Sequence, residues 1–308
     1  MTFASVVRFL NKPEYLYQPK AILRRSLGWK RSSANGTEIV QLPWGFPLEV
    51  NTSELIGRII SHSGIFELSA VEAIFRLTDS TDVFLDLGAN IGYMSSAAHA
   101  SKAKMVISFE PHPELFRQLQ RNVSLWAEVR PGIANREFVR QEAISNKSGT
   151  AKLRFSKREF SKNQGVATLE NGHGRDDCVE VEVSTVALDQ VIEQCGEGVG
   201  VLKIDIEGHE LTAFEAAMAP LQAGSVRDII YEDHQGMSSD VSRLLSSCGY
   251  SLFGLNKTLL GPVLLDSKAA VDRFRPYSPD PLNFLATRSP DRARRRMSHH
   301  GFQCLAGQ

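Results

Sequence analysis

The chain has 308 residues, 42% of them hydrophobic and 23% charged, with 35 basic side chains against 35 acidic ones. That length suits one large α/β domain with appendages, or two small domains. A formal charge of zero provides no overall attraction to nucleic acid or an anionic membrane, so neither is a default partner, and a small or neutral partner is expected instead.

Cys178, Cys195, Cys248 and Cys304 stand far apart without a C-x-x-C pair, which argues against a disulfide framework or zinc motif and for a reducing, cytoplasmic setting. No apolar run approaches the ~18 residues of a membrane span. Arg8, Asn11 and Lys12 interrupt the N-terminus too early for a signal-peptide core.

In chain order, residues 1–41 read as a basic arm, with seven basic residues from Arg8 to Arg31 and a boundary at Ser-Ser-Ala-Asn-Gly, 32–36. Residues 42–80 read as a cap: strand-like runs in LPWGFPLEVN, then a helical stretch from Ser69 to Leu77. From 81 to 287, apolar runs alternate with amphipathic stretches, the pattern of a sheet covered by helices on both faces. Buried strands are expected in VFLDL (83–87), KMVISF (104–109), VGVLKID (199–205) and DIIYE (228–232). After Pro113, Leu115, Phe116, Leu119, Val123 and Trp126 mark the inner face of a helix, with Arg117, Gln118 and Arg121 outward. Period-2 runs AKLRFS and VEVEVS predict an antiparallel insert. Its polar loop, 156–177, has hinge glycines Gly165, Gly172 and Gly174 and the cations Lys157, Arg158 and Lys162, as a lid over an anionic substrate group would. Pro276, Pro279 and Pro281 precede a last short strand at 283–286, and residues 288–308, with Arg288, Arg292, Arg294, Arg295 and Arg296, read as a flexible tail.

Three strand ends carry chemistry. Asp86-Leu-Gly-Ala-Asn90-Ile-Gly92 follows a strand and opens a helix; Gly88 and Gly92 let the backbone turn tightly against a ligand, and the helix start offers free N–H groups. Asn90 and Tyr93 stand where the dinucleotide fingerprint requires glycine, which disfavours a nucleotide-dependent oxidoreductase. Glu110, about twenty residues on at the next strand end, is placed to hold a ribose diol. Lys203-Ile-Asp205-Ile-Glu207-Gly-His209-Glu210 and Tyr231-Glu232-Asp233-His234 put ionisable groups at two more strand ends; the bland alternative is a set of solvated turns.

FLDLGANIG, SFEPHPELF and VLKIDIEGHE together resemble the FkbM-type family of S-adenosylmethionine-dependent methyltransferases, over roughly residues 42–287. The resemblance implies a Rossmann-like, seven-stranded methyltransferase sheet and methyl transfer to a hydroxyl of a sugar, glycan, lipid or secondary metabolite. It further implies that Asp86, Gly88, Asn90 and Gly92 surround the methionine end of the cofactor, Glu110 holds its ribose, and Glu142 to Ser145 lie beside its adenine. For the chemistry itself, His209 is the candidate base, a surface or helix-capping histidine being the competing reading. Asp205, Glu232 and Asp233 form an oxygen-rich set suited to Mg²⁺, although neighbouring strand residues point to opposite faces, and Lys203 is an alternative neutraliser. A non-catalytic methyltransferase-like binding protein remains the alternative, one that an intact acidic cluster disfavours. RNA as substrate is disfavoured because no aromatic-basic motif accompanies the C-terminal arginines.

Overall fold

The structure, a computed structural model, describes residues 12–19, 23, 36–170, 177–196, 198–274 and 282–306. Most of the basic arm, the hinge residues Gly172 and Gly174, and the three prolines at 276–281 lie outside the described residues.

The order of elements begins with a short helix, α1 (Pro13–Tyr17), and a hairpin of β1 (Thr37–Gln41) and β2 (Pro47–Asn51). Two cap helices follow, α2 (Leu55–Ser63) and α3 (Leu68–Leu77). The αβ alternation then starts: β3 (Val83–Leu87), α4 (Tyr93–Ala100), β4 (Met105–Phe109), α5 (Pro113–Val129) and β5 (Glu137–Arg140). The insert comprises β6 (Ala143–Ser145), β7 (Gly149–Ser156), α6 (Lys157–Phe160) and β8 (Cys178–Ala187). The chain returns through α7 (Leu188–Gln194), β9 (Val199–Ile204), α8 (Glu210–Ala216), α9 (Met218–Gln222), β10 (Val226–Glu232) and α10 (Asp240–Ser247). It ends with β11 (Ser251–Thr258), β12 (Gly261–Leu265), α11 (Lys268–Phe274), β13 (Asn283–Thr287) and α12 (Pro290–Met297).

Among the described residues the main sheet has eight strands in the order β12-β11-β13-β10-β9-β3-β4-β5, one more than the seven expected. The additional edge strand is β12, which forms an antiparallel hairpin with β11. From β10 through β5 the pairing is parallel, and β13 is antiparallel to both neighbours. All five residues of β3 are buried, as a central strand covered on both faces requires. From β3 the chain moves outward to β4 and β5, then returns to β9 on the other side, so the strand order reverses between β3 and β9. A crevice outside the carboxyl ends of the strands opens at such a switch point.

Local surprises come from polar side chains used as fasteners. Gln118, expected to face outward, is buried and donates from Nε2 to the Glu49 carbonyl at 2.9 Å. On the same face of α5, Trp126 Nε1 donates to the Pro47 carbonyl at 2.9 Å and Asn122 Nδ2 to the Ile91 carbonyl at 2.8 Å, so α5 grips the hairpin and supports the glycine loop. The insert is built as β7 antiparallel to β8, with β6 added parallel to β8.

Residues 288–306 depart from the flexible tail expected. Arg292 bonds Asp79 at 2.6 Å, Asp228 at 3.0 Å and the Leu77 carbonyl at 2.6 Å, and Arg296 bonds Asp79 at 2.6 Å. Asp228 is wholly buried, and a carboxylate removed from water needs such partners. Glu72, also wholly buried, accepts from the backbone N–H groups of Gln303 and Cys304 and pairs with Arg76. The arginine run alternates ion-pair ligands with exposed residues along one short helix.

Candidate active site

A cavity of about 730 Å³ occupies the switch point. Asp86, Gly88, Asn90 and Glu110 line one part of it and Asp205, Glu207, His209 and Glu232 another. Leu55, Ile56 and Ile59 of α2 and the insert loop from Asn163 to Leu169 supply much of the remaining wall.

The glycine loop is left-handed at Gly88 (φ 83°), Asn90 (φ 52°) and Gly92 (φ 86°). A Cβ on Gly88 would lie 1.9 Å from the Asp205 carbonyl oxygen, and one on Gly92 would lie 2.6 Å from Leu119 Cδ1 and 2.7 Å from the Trp126 ring. Both glycines therefore answer to protein packing, against the end of β9 and the face of α5, beyond any approach of a ligand. Gly92 does not line the cavity.

Glu110 accepts from the backbone N–H of Asn90 at 2.9 Å and of His112 at 2.8 Å, which ties the loop to the end of β4. Burial pushes its carboxyl up to about 7 against those two favourable bonds. Burial likewise raises Asp86 to about 6. Beneath it, Ser95 Oγ hydrogen-bonds Asp86 and lies 2.8 Å from Ser108 Oγ; Ser108 bonds Glu137 at 2.6 Å, and Glu137 reaches His99 at 2.6 Å.

At the end of β9, Asp205 N–H donates to the Leu87 carbonyl at 2.9 Å, and Glu207 (φ 52°) and Gly208 (φ 92°) turn the chain into α8. The insert clasps this turn: Thr168 Oγ1 donates to the Glu207 carbonyl at 2.7 Å, and Glu170 Oε1 lies 2.7 Å from His209 Nδ1. His209 Nε2 is 2.9 Å from Ser145 Oγ. Ser145, expected beside the adenine, thus meets His209 and does not line the cavity, whereas Glu142 lines it and pairs with Arg140 at 2.6 Å. Lys157, Arg158 and Lys162 are exposed and do not line it.

One oxygen each of Glu67, Asp205 and Glu232 gathers within 4.8 Å of the others. Asp233 is not the third member as expected: its Oδ1 accepts from Gln235 N–H at 2.8 Å and closes the turn after β10, because successive residues leaving a strand diverge. Glu67 comes instead from the cap. It precedes α3 in a left-handed conformation (φ 48°) without capping it; Phe66 N–H donates to the Tyr93 hydroxyl at 2.9 Å, and Asn283 Nδ2 donates to Glu67 at 3.3 Å. In sequence, an acidic residue before an apolar helix reads as a capping residue, so no signal marked it.

Lys203 is buried 3.4 Å from Asp205 Oδ2. Burial would lower its pKa, but Asp205, Glu67, Asp86 and Glu232 outweigh that and hold it firmly protonated. Glu207, an exposed residue that lines the cavity, rises to about 8, first through desolvation of its carboxyl and then through repulsion by Asp205, Glu232 and Glu210. Burial and Asp205 also raise Glu232. The carboxyl groups crowded around Lys203 therefore resist ionising together.

Residues 86–252 match the family profile described as Methyltransferase FkbM domain. The chain is 28% identical over 218 residues to the hexuronic acid methyltransferase AglP of Haloferax volcanii, a match covering 65% of this chain and 82% of that protein. Among solved structures, Methyltransferase FkbM from Methylobacillus flagellatus KT aligns with a TM-score of 0.45 and 14% identity, over 67% of this chain and 44% of that one. The chain thus spans less than half the length of that protein. An O-methyltransferase from Bacillus cereus in complex with SAH aligns with a TM-score of 0.36 and 10% identity, over 71% of this chain and 80% of that one.

Proposed function

We propose that this chain, which belongs to the Methyltransferase FkbM domain family, transfers a methyl group from S-adenosylmethionine to a hydroxyl of a sugar or sugar-bearing metabolite. The observation that carries this reading is a single cavity lined both by buried Asp86 and Glu110 and by Asp205, Glu207 and Glu232. Glu110 retains lone pairs beyond the two amide bonds it accepts, enough for a ribose diol. Asp86, Gly88 and Asn90 would flank the methionine end, Gly92 would hold the loop from behind, and Glu142 would lie along the adenine, with Ser145 behind it. The bound cofactor supplies an electrophilic methyl on a cationic sulfur.

A carbohydrate acceptor is supported by the relative, named as a hexuronic acid methyltransferase. The walls support it too: Leu55, Ile56 and Ile59 offer apolar surface for the C–H face of a sugar ring, in a cavity that carboxyl groups also line to accept from hydroxyls. Asp205 and Glu232 would orient the acceptor oxygen, and such positioning can supply much of the acceleration. His209 would act as base. With Nδ1–H donating to Glu170, Nε2 keeps its lone pair, now met by the Ser145 hydroxyl; an acceptor hydroxyl taking that place gives up its proton there, and Glu170 stabilises the imidazolium.

Glu67, Asp205 and Glu232 would hold Mg²⁺ if the reaction uses one. Their oxygens suit a hard cation, and Lys203 offsets one of three negative charges, leaving two for a divalent ion. Such an ion lowers the pKa of a bound hydroxyl. A cytoplasmic setting is supported by four free cysteines. Among the described residues, no helix is long and apolar enough to cross a membrane.

The test is incubation with labelled S-adenosylmethionine and a panel of neutral hexoses, hexuronic acids and host glycans, with mass spectrometry of the products. An O-methyl sugar is expected. Transfer to nitrogen or carbon alone would overturn the acceptor assignment, and failure to bind the cofactor would overturn the whole reading.

A further inference from the structure

The zero net charge conceals a division. Residues 1–31 hold seven of the 35 basic side chains and one acidic residue, Glu14, so this stretch carries +6 and residues 32–308 carry −6. Phe9, Leu10, Leu16, Tyr17, Leu23 and Trp29 are interspersed among those cations.

The described part of the stretch sits at one edge of the fold. Gln18 Nε2 donates to the Leu305 carbonyl at 3.1 Å, and the Tyr17 ring meets Phe302 edge-on at 5.5 Å. Next to Phe302, Gly301 N–H donates to the Leu260 carbonyl at 2.7 Å. Leu259 and Leu260 form the turn between β11 and β12. Adjoining segments therefore present Leu16 (62% exposed), Leu260 (65%), Tyr17 and Leu259 to solvent. Exposed Arg294, Arg295, His299 and His300 lie on α12 and in the loop that leads to Gly301.

Single exposed apolar residues need no explanation, but four on touching segments do, and two of them, Leu16 and Tyr17, belong to the stretch of sequence that carries +6. We propose that this edge docks on an anionic lipid bilayer, with the leucines and Tyr17 entering the boundary between headgroups and acyl chains and the basic residues meeting lipid phosphates. Charge complementarity selects this occupant. A second copy seated on the same face would bring two +6 stretches together. A nucleic acid would meet the cations but leave protruding leucines without a role, since bases stack on flat rings.

The test is co-sedimentation of the full chain with phosphatidylglycerol–phosphatidylcholine vesicles and with phosphatidylcholine vesicles. Binding is expected only to the anionic vesicles, with loss at high salt as the Debye length falls from about 10 Å at 0.1 M to about 3 Å at 1 M. Combined Leu259→Asp and Leu260→Asp should cut the bound fraction roughly tenfold while leaving circular dichroism and cofactor affinity unchanged. Arg24→Glu with Arg25→Glu, which leaves every leucine in place, should do the same. A wild-type chain that stays in the supernatant with anionic vesicles at low salt overturns the proposal. So does vesicle binding that survives the leucine changes but is competed away by duplex DNA, which would indicate a general polyanion site. A concentration-dependent dimer in sedimentation velocity, dissolved by Leu260→Asp, would assign the surface to self-association and equally overturn it.

Discussion

Replacing Gly88 with alanine tests the junction between the cofactor loop and the acidic cluster. The new Cβ would lie 1.9 Å from the Asp205 carbonyl oxygen and 2.9 Å from its carbon, both backbone atoms that cannot rotate away. Relief requires the ends of β3 and β9 to separate, which strains the Asp205 N–H to Leu87 carbonyl bond. A left-handed alanine costs about 1–2 kcal/mol, overpacking about 1–3 kcal/mol, and the weakened hydrogen bond about 0.5–1.5 kcal/mol. The total, about 2.5–6.5 kcal/mol, is a large part of the stability typical of a domain. Gly208→Ala is the control: its φ of 92° carries the same conformational cost, but its nearest neighbour is Glu170 Cγ at 4.0 Å, so the loss should stop at about 1–2 kcal/mol. Urea unfolding followed by circular dichroism measures both. If Gly88→Ala proves no less stable than Gly208→Ala, the close approach is not what requires glycine, and the reasoning fails.

Glu110→Ala should weaken cofactor binding by about 1.5–3 kcal/mol, read by calorimetry. Because burial raises Glu110 to about 7 from 4.5, ionising it across that window costs the free protein stability, so this contribution favours the fold at the acid end; cofactor affinity, which needs the carboxylate, should instead rise as pH passes through 7. His209→Ala should lower kcat by about 10²–10⁴-fold with cofactor affinity nearly intact, and Glu170→Gln should reduce kcat less, because it leaves the base in place and removes only its charged partner. Near-wild-type turnover in His209→Ala would pass the role of base to Glu207. Chelation should abolish activity and Mg²⁺ restore it, with Glu67→Gln and Asp205→Asn equally impaired and Asp233→Asn close to wild type; full activity in chelator removes the metal. Arg292→Ala removes one of the charged hydrogen bonds to the buried Asp228, which keeps Arg227 at 2.9 Å, and should cost about 1.5–3 kcal/mol, whereas a freely moving tail would show no change in thermal denaturation.

What the sequence determined by itself was local. VFLDL reads as a central strand because five consecutive residues are apolar or functional, and β3 spans those five residues. The Asp86 loop, Glu110 and the turn from Asp205 to His209 are legible because each sits where an apolar run stops, and in a parallel sheet such ends open on one edge. Tertiary structure decided what these groups meet. Glu67 joins Asp205 and Glu232 only because Tyr93 and Asn283 seat the end of the cap beside them. His209 acquires Ser145 and Glu170 from an insert that is remote in sequence. Arg292 and Arg296 resemble the solvated Arg294 and Arg295 in sequence, yet they neutralise carboxylates at the start of β3 and β10. Apolar periodicity encodes burial through neighbours three or four residues away. A charge, in contrast, is satisfied by whichever opposite charge or dipole the fold brings near, and that partner leaves no local pattern in the chain.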